Sequence, residues 1–473
     1  MRLRLPPPPV SRAVAATPPD RDRVLDLLRA GALAVVVLGH SAMGVIGWRD
    51  DLPEVRTALD FYPWASWATW LLQIMPLFFV AGGAVNARSW RSTHLPYAAW
   101  TWRRVARLMR PVWVYLLIMT PVSALVSAVA PTGWSEPLLG LATQLLWFVG
   151  VYVVVCALTP LTVRAHATSP LLGPAALLAC VALVDWLRIS LGIAPIGLLT
   201  FVLAWAFAAQ LGLLFDEGLL RGWRGLAVAL AAMGANLLLI GVGPYPISMV
   251  GGSPGERFSN MAPPSLALTL HALALAGLAG AARPLLARLA QRRRVWWGAT
   301  AVNLTAMTLY LWHLPVLIAL VAVTHLLGLD RPVTWTAVGP APGPGYWLWT
   351  IGFLAVDLAG VVAVVRVLWV VEVGRLPWWD VPARSDAGPG SVERRRGAAA
   401  ASGAALIGIG TLMLAATGLA GFPTRVTQFA GLPLSAPIAV GLMAAGGVAV
   451  RQAGGITSIP RRAASYSGNL HLP

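Results

Sequence analysis

Lysine is absent from this 473-residue chain, so every basic residue is an arginine. Acids are scarce too, and the formal net charge is +17. Charged residues make up only 11% of the chain against 58% hydrophobic, where a soluble domain carries about a quarter charged residues. That shortage excludes an ordinary soluble enzyme and points to the lipid bilayer. The basic excess does not indicate nucleic acid as a partner. The arginines fall in short clusters between long apolar runs, where they set membrane topology. The two cysteines, Cys156 and Cys180, sit inside apolar runs, which excludes a disulfide framework. The seven histidines are scattered, with no HExxH and no Cys/His cluster, so no metal is expected. Walker and dinucleotide glycine motifs are missing as well.

What the chain does have is length without charge. A membrane span needs about 20 apolar residues, and twelve runs qualify: 24–47, 64–87, 108–130, 138–163, 171–189, 192–215, 224–243, 263–282, 299–327, 346–371, 398–421 and 433–450. Each is read as a helix, because an isolated strand leaves its backbone unsatisfied in lipid. The expected fold class is an all-α polytopic membrane bundle. A ten-helix core over 24–371 is followed by a linker at 372–397 and two further helices over 398–450. Residues 1–23 are rich in Pro and Arg and lack an apolar core. They read as a disordered cytosolic tail rather than a cleavable signal, and 451–473 reads as a second such tail. Arginines crowd 88–110, 283–294 and 394–396, whereas 131–137, 244–262 and 328–345 are poor in them and 48–63 is net acidic. This asymmetry implies a multi-pass plasma-membrane protein with both termini in the cytosol.

The first run, DLLRAGALAVVVLGH, carries Asp26, Arg29 and His40. Ionisable groups in hydrocarbon need a partner, a water-filled cavity or a task. Arg29 and His40 are eleven residues apart, three turns plus about 20°, so they share a helix face roughly 16 Å apart. Asp26, three residues before Arg29, can pair with it. The stripe runs inward from the cytosol to an imidazole, the side chain best suited to moving protons near neutral pH. Gly39 and Ser41 flank it and leave room for a ligand or a neighbouring helix.

These residues resemble the opening motif of the acyltransferase family 3 membrane proteins, an acid–x–x–Arg followed by ten residues and a His. MPLFFVAGG (75–83) resembles the family's second-helix motif, with Ala81-Gly82 where the family has Ser-Gly. RRVARLMRP (103–111), LLWFVGVY (145–152) and LYLWHLP (309–315) resemble its Arg–x–x–Arg, Trp-Phe and late His-Pro motifs, in the same order. The resemblance implies transfer of an acyl group, often acetyl, from acyl-CoA to a hydroxyl of a glycan, glycolipid or similar acceptor.

Such chemistry needs a base, an oxyanion stabiliser and a site for the CoA phosphates. The expected assignments are His40 as general base or transient acyl carrier, and Arg104 and Arg107 as the phosphate site with Arg29 at its entrance. Asp26 is a supporting residue. His313 either lines the acceptor path or hydrogen-bonds the carbonyl freed by Pro315; the latter is preferred, because one base suffices. Asp185 and Arg188, three apart, should pair, and Asp357 is a lone acid without an evident partner. Trp147 and Phe148 suit an acyl pocket or simple packing. His271, Gln144, Gln210, Asn236 and Asn303 read as interhelical hydrogen-bond formers. A secondary transporter or an envelope export factor is the alternative; it lacks support from inverted repeats.

Overall fold

Asp22 opens the first long helix by accepting a hydrogen bond from the Val24 amide, which satisfies one of the donors that a helix start leaves free. The computed structural model that shows this describes residues 10–130, 133–251, 258–374, 376–380, 390–429 and 432–455. A short helix α1 (Val10–Ala15) precedes α2 (Arg23–Met43). The chain continues through α3 (Thr69–Leu72), α4 (Met75–Arg91), α5 (Tyr97–Val129), α6 (Ser135–Gln144), α7 (Leu146–Thr168), α8 (Leu172–Ser190), α9 (Thr200–Asp216) and α10 (Trp223–Val242). Then follow α11 (Leu266–Ala281), α12 (Arg283–Gln291), α13 (Arg293–Leu304), α14 (Ala306–Leu326), α15 (Tyr346–Leu368), α16 (Val370–Val373), α17 (Pro377–Asp380), α18 (Gly390–Thr417) and α19 (Ala436–Ala453). Among the described residues eleven helical stretches are long and apolar enough to cross a membrane, or twelve if α11 and α12, bent by 63°, form one broken span. The fold is an all-α polytopic bundle.

Several spans are not the unbroken rods that hydropathy suggests. The second breaks between α3 and α4 ahead of Pro76, the fourth at Leu145, and the helical run into α14 at Thr305. The arginines of 103–110 lie on the first turns of α5 rather than in a loop. Residues 10–23, expected to be a tail, contain α1, whose Val14 packs with Ala30 and Trp296. The remaining tail positions 1–9 and 456–473 lie outside the described residues.

The ends of the helices sort into two faces. On one, Asp22 joins Arg88 and Arg283, while Glu217 joins Arg91 and His166. The segments read from sequence as lying on one side thus do meet. On the other face three hairpins stand where loops were expected: β1 (Gly44–Arg49) with β2 (Leu52–Thr57), β3 (Val333–Thr336) with β4 (Gly339–Pro342), and β5 (Val426–Phe429) with β6 (Leu432–Ser435). The first turns through Asp50 and Asp51, both at positive φ, the geometry that fits the strand twist. Gly47 lies under Pro340, where a Cβ would come within 2.4 Å of the proline Cβ. The Tyr346 hydroxyl donates to the Gly44 carbonyl at 3.0 Å, and the Trp134 indole donates to the Asp51 carbonyl. These contacts cap the bundle just beyond His40.

The last two helices pack into the bundle rather than standing apart. Gly403 and Gly446 let α18 and α19 touch backbone to backbone, and a Cβ on Gly150 of α7 would strike Thr411. Between α16 and α18, α17 docks on α5: Trp379 is buried and donates to the Ala106 carbonyl at 2.8 Å, and Arg110 binds Asp380 through both carboxylate oxygens.

Candidate active site

Helix α2 is continuous from Arg29 to His40, so the two lie roughly 16 Å apart along one axis. At the end of that interval near the hairpins, His40 meets His313 of α14, Nδ1 to Nε2 at 3.3 Å. The other nitrogen of His313, Nδ1, lies 2.8 Å from the Tyr310 carbonyl and 3.2 Å from that of Leu309. A carbonyl only accepts, so His313 Nδ1 carries the proton and Nε2 offers a lone pair. His40 Nδ1 must then donate to it, which leaves His40 Nε2 unprotonated. The carbonyl freed by Pro315 is that of Leu311, so the expected role for His313 is corrected. It bonds earlier carbonyls and orients a second imidazole. His313 is fully buried, while His40 is half-buried. A Cβ on Gly39 would meet nothing within 4 Å, so there is open space beside that turn.

At the opposite end of α2, Asp26 does not pair with Arg29. It takes Arg21 instead, at 2.6 and 3.2 Å. Arg21 approaches from the segment before the helix, and tertiary placement overrides the i,i+3 spacing. Arg29 is left over the ring of Phe78, 5.3 Å from its centroid, with a buried Nε that has no hydrogen-bond partner. Arg29, Arg104 and Arg110 all act electrostatically on Arg107, and Arg29 and Arg104 both act on Tyr152 and Cys156 of α7. Arg110 is neutralised by Asp380. Among the described residues, no carboxylate stands within ion-pair distance of Arg29, Arg104 or Arg107. Arg21, Arg88, Arg91, Arg188 and Arg283 all have one. Three like charges gathered without counter-ions repel one another, and a polyanion would relieve that.

Between the cationic end and the imidazoles runs an aromatic path. Phe78 meets Phe148 at 5.2 Å, Phe148 meets Tyr310 at 5.0 Å, and Tyr310 meets His313 at 6.2 Å, centroid to centroid. Phe78, Phe148 and Tyr310 line an apolar cleft with Leu33, Met75, Ala306 and Met307. The first turns of α4, α7 and α14 all open onto this cleft, each starting at one of the helix breaks. Sequence reading named Phe148 but missed Phe78, Tyr152 and Tyr310. The breaks that bring them together leave no mark on hydropathy. Trp147 packs on Phe201 and Trp205. Close approach by glycine holds this region: a Cβ on Gly82 would lie 2.6 Å from the Tyr152 hydroxyl, and one on Gly83 2.0 Å from the Ala209 carbonyl. Ala81 is fully buried.

Of the remaining polar groups, Asp185 pairs with Arg188 at 3.0 Å and also caps α11 through the Leu266 amide. Asp357 has a partner after all: the Ser41 hydroxyl donates to its Oδ2 at 2.6 Å. Asn303 bridges α13 to the Asp26 carbonyl, and Gln210 reaches the Thr162 carbonyl. Among the described residues the Asn236 amide has no hydrogen-bond partner, and the His271 ring stands edge-on to Trp70 at 6.1 Å.

The fold and this site define a multi-pass membrane protein with a histidine pair, one ring buried and one half-buried, whose His40 shares its helix with a cationic end. A family model described as an acyltransferase domain matches residues 22–366. The chain belongs to acyltransferase family 3; it is a membrane acyltransferase of the O-acyltransferase type. No curated protein and no solved structure matches it. Family membership sets aside the transporter alternative. The match takes in His40, His313, Arg29, Arg104 and Arg107.

Proposed function

We propose that the protein moves an acyl group, most simply acetyl, from cytosolic acyl-CoA to a hydroxyl of a glycan, glycolipid or related acceptor. In this reading the arginine-rich face and both termini lie in the cytosol, and the bilayer is the plasma membrane. The observation that carries it is the gathering of Arg29, Arg104 and Arg107, none with a carboxylate within ion-pair distance among the described residues, near one end of the helix whose other end presents His40. Arg104 and Arg107 bind the CoA phosphates, since a guanidinium can hold two oxygens at once. Arg29 stands at the entrance. The pantetheine arm follows the aromatic path past Phe78 and Phe148 and brings the thioester to His40.

The proton logic follows from the tautomers. His313 holds His40 with Nδ1 protonated, so Nε2 takes the proton of the acceptor hydroxyl as its oxygen attacks the thioester carbon. Positive charge arising on His40 is stabilised by the His313 lone pair. The first turns of α4, α7 and α14 favour negative charge on the thioester oxygen. The C–S bond then breaks, and the CoA thiolate leaves with the proton from His40 Nε2. A transient acyl-His40 would use the same nitrogen as nucleophile.

Purified protein in lipid nanodiscs, supplied with radiolabelled acetyl-CoA and a panel of glycosides, tests this. Transfer by the native protein and its loss in His40→Ala, with the variant still folded, is the expected result. Near-normal turnover in His40→Ala would refute the assignment, and rapid-quench labelling of the protein would select the carrier route.

A further inference from the structure

The short helix α12 leaves α11 at 63° and runs across the helix ends rather than through the bundle. Its two sides differ. Leu286 and Ala287 pack against the buried cluster of α2, α4 and α9, and Ala290 is buried. On the other side Leu285 is 59% exposed, and Arg288 and Arg292 are exposed. The first turns of α13 add the exposed Arg293 and Arg294, with Trp297 at 49%. Residues 283–304 contain no acid. Arg283 is taken by Asp22, but among the described residues no carboxylate stands within ion-pair distance of Arg288, Arg292, Arg293 or Arg294. Two of these arginines stand where a helix disfavours them. Arg293 and Arg294 open α13, whose start has neither an acid nor a side-chain cap, and the positive end of a helix favours anions.

We propose that α12 and the start of α13 form a docking surface for the headgroups of anionic phospholipids. The inference concerns binding alone and does not depend on the acyl-transfer reading. Charge and position select the occupant. Four exposed cations with no acid among them call for negative charge spread over a surface, and an arginine close to an anionic bilayer is drawn to it. The apolar neighbours fit the same partner. An exposed leucine and an exposed indole beside arginines are side chains that settle at the boundary between headgroups and acyl chains. A soluble polyanion would gain nothing from Leu285 or Trp297. The surface is also tied to the helix that presents His40. Trp296, next to Trp297, lies under Arg23 at 4.9 Å and donates to the Thr17 hydroxyl at 3.2 Å. Asn303, at the far end of α13, donates to the Asp26 carbonyl at 2.9 Å. Lipid held by α12 and α13 therefore braces the start of α2.

Native mass spectrometry of the full chain in a neutral detergent, titrated with phosphatidylglycerol or phosphatidylcholine, counts the bound lipids and gives their Kd values. The native protein is expected to bind phosphatidylglycerol roughly tenfold or more tightly than phosphatidylcholine. Replacing Arg288, Arg292, Arg293 and Arg294 together by Gln should remove that preference, at roughly fivefold for each arginine beside a headgroup. Replacing all four by Lys keeps the charge and should keep the preference. If the Gln variant does not fold, Arg288→Gln with Arg292→Gln, and Arg293→Gln with Arg294→Gln, should each remove part of it. The docking surface is overturned if the native protein binds the two lipids alike, or if the Gln variants still prefer phosphatidylglycerol. It is also overturned if inorganic phosphate at equal concentration displaces the lipid, which would mark a site for free phosphate. Displacement by CoA would overturn it in favour of a site for the donor.

Discussion

The imidazoles of His40 and His313 face each other across α2 and α14, Nδ1 to Nε2 at 3.3 Å, although 273 residues separate them in the chain. Because His313 has its own proton committed to a backbone carbonyl, the pair has one tautomer in which His40 keeps a free lone pair. The second histidine therefore acts through the first, and it touches no substrate in the proposed reaction.

This gives the two residues different signatures. Replacing His40 by Ala should lower kcat by roughly 10² or more, the usual worth of a general base. His313→Leu should cost about tenfold, one hydrogen bond to a group that becomes charged. His313→Gln, which offers an acceptor oxygen, should recover part of that loss. Single-turnover rates with labelled acetyl-CoA distinguish the three variants; equal rates for Leu and Gln at His313 would contradict an orienting role.

Arg104 and Arg107 should act on the donor's phosphates and not on its thioester. Arg104→Ala and Arg107→Ala should each raise the KM for acetyl-CoA by roughly tenfold. They should leave S-acetyl-N-acetylcysteamine, a donor without phosphates, unaffected. Arg→Lys at either position should restore only part of the binding, since a point charge lacks the two-pronged geometry. Equal losses with both donors would show that the arginines serve the fold.

Gly83 lets α4 and α9 approach until a Cβ would lie 2.0 Å from the Ala209 carbonyl oxygen. That oxygen is backbone and cannot rotate away. Gly83→Ala should therefore push the helices apart and cost about 1–3 kcal/mol, visible as a lower thermal midpoint in nanodiscs. Gly39→Ala meets open space and should cost only a few tenths of a kcal/mol at most from packing.

Glu372 of α16 accepts from the Thr308 amide at 2.6 Å in the first turn of α14, the helix that carries His313. Burial pushes its carboxyl up to about 7. The folded protein thus favours the protonated acid. Its stabilising effect is complete below the ordinary glutamate range, about 4.3, and is lost as pH rises towards 7. Glu372→Gln keeps an acceptor for Thr308 and has no proton to lose. Its unfolding midpoint should stay flat between pH 5 and 7.5, where that of the native protein falls. Parallel curves would rule the residue out as the titrating group.

Much of the architecture was legible from the arginine-poor apolar runs, because hydrocarbon admits few alternatives to a helix and charge cannot hide in it. Arginine-rich segments set apart in the chain meet on one face, where ion pairs such as Asp22–Arg88 and Asp22–Arg283 join them. Asp185 with Arg188 was legible too, since both lie on one turn. Asp26 was not. Its spacing to Arg29 is favourable, but Arg21 reaches it from outside the helix, and no local rule ranks those two partners. The β1–β2 hairpin was hidden for a related reason: its turn is Asp50-Asp51, without the glycine that usually marks positive φ.

The residues themselves determined that this chain lives in lipid, that Arg29 and His40 share a helix face, and that its arginines cluster on alternate segments. Those properties depend on composition and on the 3.6-residue period, both local to the chain. Tertiary structure decided which arginines go without an acid, that His313 turns towards His40, and that Asp357 meets Ser41. The histidine and Ser41–Asp357 pairings are choices among partners hundreds of residues apart, and even the nearby choice at Asp26 is settled by how the chain packs and not by spacing along the sequence.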